Sequence, residues 1–202
     1  MPPKIVFTKE QIIETAFQIF REEGIDGVTV RKLAARMNSS TAPIYTSFKN
    51  IDEIKKRMME HALELLTSYT RKEYTPDLFL NAGIGMLEFA RDYKLLYRRL
   101  FIENNTYKYL FEEFIERVLV QMKKVSALSI FSEEDMRTIL NKMGIFTHGL
   151  ASFLCAGMLE DESTEYFMKE LGECGYCIIG GWAAHRGLNI EFEPKFREGC
   201  GE

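Results

Sequence analysis

The sequence predicts an all-α fold of about nine helices. Apolar residues recur at helical spacing from Thr8 to about Arg186, and Ser or Thr residues stand where several of these stretches begin. No stretch alternates with the two-residue period of a strand. We divide the chain into a three-helix head at residues 1–51, a larger helical domain at 52–188 and a tail at 189–202.

The charge of the chain is unevenly distributed. Residues 1–60 carry ten basic and eight acidic side chains, a net charge of +2, whereas the remainder has a net charge of −6. Charges act over about 8–10 Å at physiological salt, so an acidic remainder does not prevent the first part from binding an anionic partner. No apolar stretch is long enough to cross a bilayer and no secretion signal is visible, so we expect a cytoplasmic protein.

The first two helices have clear starts and ends. Thr8 and Gln11 form a capping-box pattern, and Gly24 is a natural end for the first helix. Thr29 is the expected N-cap of the second helix, whose apolar stripe is formed by Val30, Leu33, Ala34 and Met37.

The third helix follows after a tight turn. Asn38, Ser39 and Ser40 favour a turn, and Pro43 is tolerated in the first turn of a helix that begins near Ser40. Ile44 and Phe48 can pack inward, which leaves Thr41, Ala42, Tyr45, Thr46 and Lys49 outside. Such a surface suits a DNA major groove, although an ordinary helical hairpin has the same spacing.

The combined pattern of the first quarter of the chain resembles the DNA-binding domain of the TetR family of transcriptional regulators. The resemblance rests on Ala16, Phe20, Gly24, Thr29, Leu33, Ala34, Ser40, Ile44, Tyr45 and Phe48. It implies DNA contacts from Thr29, Arg31, Ser40, Thr41, Ala42, Pro43, Tyr45, Thr46, Lys49 and Lys55. By this resemblance we expect Thr29 and Arg31 to bind the DNA backbone, and Thr46 and Lys49 to contact phosphates. The family usually has a lysine at the position of Ile51, and we expect Lys49 to replace its contact.

The remaining helices are longer. We expect the fourth helix over about Asp52–Tyr74, a fifth with Pro76 in its first turn that ends near Tyr93, and a sixth over Leu95–Glu103. Three more are expected over about Tyr107–Val125, from Ser132 (a capping residue) to Met158, and over Thr164–Arg186.

The middle helices are rich in aromatic residues and methionine, which a packed core would explain as well as a pocket would. The resemblance to ligand-responsive repressors implies a pocket for a small apolar or amphipathic effector. The candidate contacts are His61, Leu65, Met86, Phe89, Tyr93, Phe101, Phe111, Met122, Met143 and Thr147, with His148 as a second polar group.

The last two helices contain five glycines that suggest close backbone approach, at residues 144, 172, 175, 180 and 181. The resemblance implies that these helices form a four-helix bundle with a second copy; closure of the core within one chain is the alternative. The candidate interface residues are Leu150, Leu154, Leu171, Gly175, Ile178, Ile179 and Trp182. The resemblance thus implies a homodimeric repressor on a palindromic DNA operator.

We expect no enzymatic activity, no cofactor and no metal site. Cys174 and Cys177 form a C-x-x-C, but in mid-helix and away from any strand. Cys155 and Cys200 complete a set too small for a disulfide framework. Two alternatives stay open: a redox-sensing regulator that uses Cys174 and Cys177, and a helical protein-interaction module that does not bind DNA.

Overall fold

The computed structural model describes residues 7–103 and 108–189, except for the side chains of residues 108–111. Within these residues it contains nine α-helices and no strand, which confirms the all-α prediction. None of the described helices is long and apolar enough to span a membrane. The helices are α1 (Lys9–Glu23), α2 (Val30–Arg36), α3 (Ala42–Ser47), α4 (Ile51–Thr70), α5 (Leu78–Asp92), α6 (Lys94–Arg98), α7 (Lys108–Met122), α8 (Glu133–Ala156) and α9 (Thr164–His185).

The chain divides into two compact units. The first comprises Met1–Leu65 and Leu95–Leu110, and the second comprises Leu66–Lys94 and Phe111–Glu202. The division falls within α4, whereas the sequence prediction places a boundary at its start. The domain limits of the sequence analysis stay a prediction. Of the predicted tail 189–202, all but residue 189 lies outside the described residues, as does Cys200.

The first unit is built around the apolar side of α1. The hydroxyl of Thr8 accepts a hydrogen bond from the backbone N–H of Gln11 (3.2 Å), and the Gln11 side chain accepts one from the N–H of Thr8 (2.9 Å), so the predicted capping box is present. Side chains of α1 to α4 and of α6 are buried in this unit. They include Ile12, Ala16, Phe17, Ile19, Phe20, Leu33, Ala34, Ile44, Ile54, Met58, Leu96 and Tyr97.

The second unit is a layer of three packed helices. Helices α5, α8 and α9 contact one another pairwise. Among their side chains, Ile84, Leu87, Phe89, Ile139, Leu154, Phe167 and Leu171 are almost completely buried. Ser132 caps α8 as predicted, because its hydroxyl accepts a hydrogen bond from the N–H of Asp135 (3.1 Å).

Several helix limits differ from the sequence prediction. Helix α4 ends at Thr70, four residues before the predicted end. Pro76 precedes α5 and is not in its first turn; Asp77 is the cap, and its carboxylate accepts hydrogen bonds from the N–H groups of Phe79 and Leu80. The predicted sixth helix is a short α-helix followed by a π-helical turn, Arg99–Glu103.

Candidate nucleic-acid interface

The turn between α2 and α3 brings two short helices together as predicted. The hydroxyl of Thr29 accepts a hydrogen bond from the N–H of Lys32 (3.3 Å) and so caps α2. After α2, Asn38 has a φ of 49°, a left-handed conformation in which Asn is enriched among non-glycine residues. The N–H of Ser39 donates to the carbonyl of Ala34 (2.9 Å), which fixes the turn. The sequence around Asn38 therefore determines the start of α3.

Helix α3 presents the predicted outer face. Ile44 and Phe48 are 1% and 4% exposed and anchor the helix, whereas Tyr45 is 58% exposed although it is a large aromatic residue. Ala42, Thr46, Lys49 and Ser40 are also exposed, and Thr41 and Pro43 are half-buried. A short helix with an exposed tyrosine, small residues and a following lysine has the size and chemistry to enter a major groove.

The hydroxyl of Thr46 has a partner within its own helix. It donates to the carbonyl oxygen of Ala42 at 3.0 Å. Phosphate oxygens are hydrogen-bond acceptors, so Thr46 would have to give up this bond to donate to the DNA backbone. The predicted phosphate contact of Thr46 is therefore less suited to the geometry than that of Lys49.

Lys49 stands at a well-defined junction between α3 and α4. Its backbone N–H donates to the carboxylate of Glu53 (2.9 Å), and the N–H of Glu53 donates to the side-chain oxygen of Asn50 (2.9 Å). Ile51, at the position where the family usually has lysine, is the half-buried first residue of α4. Lys49 is exposed and Lys55 is half-buried. That Lys49 replaces the missing lysine stays a prediction.

The basic residues of α2 differ in their partners. The guanidinium of Arg36 donates to both carboxylate oxygens of Glu22 (3.1 and 2.5 Å), and this pairing lowers the pKa of Glu22 and raises that of Arg36. Lys32 forms an ion pair with Glu23. Arg31 is exposed on the same helix. Part of the positive charge near α3 is thus neutralised by the end of α1, and Arg31 fits a phosphate contact better than Arg36 does.

The predicted effector contacts fall in both units, and each group is described by itself. His61, Leu65 and Phe101 are half-buried in the first unit, where His61 lies 3.6 Å from Glu14 and edge-on to the ring of Phe17. In the second unit Met86, Phe89, Met122, Met143 and Thr147 are buried and Tyr93 is half-buried. The side chain of Phe111 lies outside the described residues.

His148 on α8 is the second polar residue predicted to contact an effector. It is half-buried, and desolvation lowers its pKa, so the imidazole is neutral at physiological pH. A neutral imidazole can both donate and accept hydrogen bonds. This form suits a hydrogen bond with an uncharged effector.

Most of the predicted dimer residues are buried within a single copy of the chain. Leu150, Leu154, Leu171 and Ile179 are between 0% and 7% exposed, and Gly175 is buried, so these positions already pack within their own chain. Ile178 and Trp182 are half-buried. Helices α8 and α9 are apolar on more than one side, so their periodicity does not tell which side faces the same chain, and the residues of a dimer interface stay a prediction.

The exposed apolar residues of these helices lie on other faces. On α8, Ile145 is 67% and Phe153 51% exposed, with Gly149 midway between them. On α9, Tyr176 is 42% exposed and precedes Gly180 by four residues. A Cβ at Gly149 or Gly180 would have no described atom within 4 Å. The spacing of four residues within each set could have revealed these faces in the sequence.

Most of the glycines of α8 and α9 do not lie against another helix of the same chain. At Gly144, Gly180 and Gly181 no described residue of the chain approaches closely, and at Gly175 the nearest atom is the methyl carbon of Met143, 3.7 Å from a Cβ built there. The predicted close backbone approach is therefore wrong within the chain at these positions. Close approach of a second copy stays a prediction.

The two cysteines of α9 lie in mid-helix, as predicted. Cys174 is half-buried and Cys177 is exposed, and burial, with a smaller effect of Cys177, raises the pKa of the Cys174 thiol. The reactive form is the thiolate, so Cys174 is poorly suited to a redox role. No group of three or more potential metal ligands occurs in the described part of the chain.

The first part of the chain matches a known family. Residues 12–58, from α1 to the first turns of α4, match the family model described as bacterial regulatory proteins, tetR family. A relative in Bacillus subtilis strain 168, named probable HTH-type transcriptional regulator YttP, is 27% identical over 146 residues, which are 67% of this chain and 69% of that protein.

A second relative has a function in its name. It is the biofilm operon icaADBC HTH-type negative transcriptional regulator IcaR of Staphylococcus epidermidis RP62A, 23% identical over 96 residues. That match covers 47% of this chain and 52% of the relative.

Two solved structures are similar in fold. A TetR-like transcriptional regulator from Rhodococcus sp. RHA1 superposes with a TM-score of 0.60 at 15% identity and covers 90% of this chain and all of its own. SmeT, the repressor of the Stenotrophomonas maltophilia multidrug efflux pump SmeDEF, superposes with a TM-score of 0.55 at 16% identity, over 94% of this chain and 95% of its own.

Proposed function

We propose, from the premise that this chain is a TetR-family transcriptional regulator, that it represses transcription as a homodimer on a palindromic operator and is released by a small-molecule effector. Each protomer inserts α3 into a major groove, and the two half-sites are about one helical turn apart. Repression is supported by two relatives whose names describe a negative regulator and a repressor.

The observation that carries the proposal is the orientation of α3. Its apolar residues Ile44 and Phe48 are buried, so the rest of its surface, with Tyr45 at its centre, is available for base edges. Lys49, which follows α3, and Arg31 of α2 are exposed and supply charge for phosphates. Thr29 has its hydroxyl oxygen engaged in capping α2, which leaves the hydroxyl proton free to donate to a phosphate.

Dimerisation follows from the two-fold symmetry of a palindromic operator. The exposed residues Ile145, Phe153 and Tyr176 supply apolar surface on α8 and α9, and Gly149 and Gly180 allow the backbone of a second copy to approach closely. We place the interface on these faces instead of the buried positions that the sequence analysis named.

The effector binds among the apolar residues of the second unit, with Met86, Phe89, Tyr93, Met122, Met143 and Thr147 as its contacts. Five of these side chains are aromatic rings or methionines, which adapt to ligands of irregular shape. His148 supplies a neutral polar group. The effector weakens DNA binding only if it binds better to the conformation that does not bind DNA.

The test is selection of bound duplexes from a random pool, followed by affinity measurements on the selected sequence. We expect an enriched palindrome that Tyr45→Ala and Lys49→Ala bind at least about tenfold more weakly, because each dimer loses two contacts. Lys124→Ala is the matched control for the lost charge. Lys124 is exposed two residues after α7, in the second unit, and we expect its replacement to leave the affinity unchanged.

Three results would contradict the proposal. Selection that enriches no sequence at low salt argues against DNA binding and favours a protein-interaction module. If Lys124→Ala weakens DNA binding as much as Lys49→Ala does, the lost affinity reflects general charge attraction and not contacts of a recognition helix. An enriched sequence without two-fold symmetry contradicts binding as a symmetric homodimer.

A further inference from the structure

Arg99 joins the π-helical turn to the end of α1 within the first unit. One terminal nitrogen, Nη2, lies 3.5 Å from the carbonyl oxygen of Glu22, and the other, Nη1, donates to the carboxylate of Glu103 at 2.6 Å. The negative end of a helix dipole is at its C-terminus, so a guanidinium there is favourably placed. The side chain of Arg99 is 24% exposed, and its Nε–H is buried without an acceptor among the described residues.

Gly24 makes room for this arginine. Its backbone has φ 80° and ψ −176°, a region that is nearly restricted to glycine. A Cβ at this position would lie 2.9 Å from Nη1 of Arg99 and 3.2 Å from its central carbon Cζ. The glycine that ends α1 thus provides the surface on which the guanidinium rests.

Glu22 connects the same place to the helix-turn-helix. Its backbone carbonyl faces Arg99, and its carboxylate holds Arg36 of α2 through two hydrogen bonds. Helix α2 leads through the turn at Asn38 directly to α3. Contacts around Glu22 therefore link the π-helical turn to the end of α1 and to helix α2.

We propose that Arg99 is a positioning residue for operator binding, which holds the end of α1, and through Glu22 the helix α2, in the orientation that α3 needs. Arg99 acts through these contacts and does not touch DNA. The inference rests on the proposed function and assigns to it a residue outside the helix-turn-helix. The π-helical turn Arg99–Glu103 supports such a role, because irregular helical turns often occur at functional positions.

The experiment compares Arg99→Met with Arg98→Met on the duplex selected by the wild-type protein. Both variants lose one positive charge from the same segment, and Arg98 is 50% exposed with only a 3.7 Å ion pair to Glu103. Affinity is measured at several salt concentrations, and stoichiometric titration gives the fraction of protein that binds. We expect Arg99→Met to bind about fivefold more weakly or worse and Arg98→Met to stay within about twofold of the wild type.

Two further readouts separate positioning from the alternatives. A positioning residue leaves unchanged the slope of log affinity against log salt and the binding-competent fraction. A slope that becomes flatter by about 0.9 per protomer would show that Arg99 itself contacts a phosphate, which overturns the proposal. Wild-type affinity of Arg99→Met, or equal weakening by Arg98→Met, overturns it as well.

If Arg99→Met does not fold, Arg99→Lys decides the question. Lysine can still pair with Glu103 but lacks the planar fork that reaches both partners. Weaker binding by a fully competent Arg99→Lys protein supports the proposal, and wild-type affinity overturns it. Failure of the wild type to select any duplex removes the proposed function and this inference with it, whereas failure of the variants to differ removes the inference alone.

Discussion

The backbone of Gly85 on α5 lies directly against the carbonyl of Tyr69 on α4. A Cβ at residue 85 would stand 2.4 Å from the carbonyl oxygen of Tyr69 and 2.6 Å from the Cα of Thr70. These neighbours are backbone atoms, which cannot move aside as a flexible side chain can. Close approach of the two helices therefore requires glycine at this position.

We expect Gly85→Ala to destabilise the protein by about 1–3 kcal/mol, because the added methyl group forces α4 and α5 apart. Urea unfolding followed by the fluorescence of Trp182, which is the single tryptophan, measures this change. Gly144→Ala is the control: a Cβ there meets no described atom within 4 Å, and alanine favours a helix by about 1 kcal/mol over glycine. Equal effects of the two substitutions would contradict the close contact.

Asp135 makes the second unit less stable at acid pH. Its carboxylate accepts hydrogen bonds from the hydroxyl of Ser132 (2.6 Å), from Trp182 (2.9 Å) and from Arg186 (2.7 Å), which lower its pKa to about 2. A carboxyl whose folded pKa is lowered stabilises the fold above its unfolded pKa, near 4. We expect this contribution to be lost as the pH falls from about 4 to 2.

The measurement is the urea midpoint at several pH values for the wild type and for Asp135→Asn. The variant is less stable at neutral pH and loses less stability between pH 4 and 2, so the two curves converge in acid. Glu165→Gln, which removes an exposed carboxylate from the first turn of α9, is expected to retain the wild-type pH dependence. Parallel curves for Asp135→Asn and the wild type would refute the role of Asp135.

Local sequence signals predicted the parts of the fold that depend on neighbouring residues. Thr8, Thr29 and Ser132 were identified as caps because a cap and the N–H it satisfies are three residues apart. The inward side of α3 was predictable for the same reason, since Ile44 and Phe48 are separated by one helical turn. These features need no knowledge of the tertiary structure.

The contacts that the sequence did not reveal join distant residues. Arg99 and Glu22 are 77 positions apart, and Trp182 and Asp135 are 47 apart. Which side of α8 faces its own chain is also decided by tertiary packing, because Leu154 and Phe153 are equally suited to burial, yet only Leu154 is buried. Helical periodicity identifies the apolar stripe of a helix but not the element against which that stripe packs.

Dimerisation through the exposed faces of α8 and α9 predicts a monomer when charge is placed there. We expect Phe153→Glu to shift the protein from dimer to monomer in sedimentation equilibrium, because a buried unpaired carboxylate opposes association. Val120→Glu is the control, since Val120 is equally exposed, at 52%, on α7. A dimeric Phe153→Glu protein, or a monomer produced by Val120→Glu as well, would place the interface elsewhere.

The cysteines of α9 distinguish the proposed regulator from a redox sensor. Burial raises the pKa of Cys174, so this thiol is mostly protonated at neutral pH and reacts slowly with oxidants. We expect brief hydrogen peroxide treatment to leave operator affinity within about twofold of the untreated protein. A loss of affinity that dithiothreitol reverses, and that Cys174→Ser/Cys177→Ser abolishes, would instead support redox sensing.

The different partners of Arg31 and Arg36 predict different salt dependences of DNA binding. Arg31 is exposed on α2, whereas the guanidinium of Arg36 is held by Glu22. If Arg31 contacts one phosphate in each protomer, Arg31→Ala flattens the slope of log affinity against log salt by about 1.8 for the dimer. Arg36→Ala removes a partner of Glu22 and leaves the slope unchanged. Anisotropy titrations of the selected duplex at four or more salt concentrations measure both slopes. A flatter slope for Arg36→Ala alone would mean that Arg36 leaves Glu22 when DNA binds, and would transfer the backbone contact from Arg31 to Arg36.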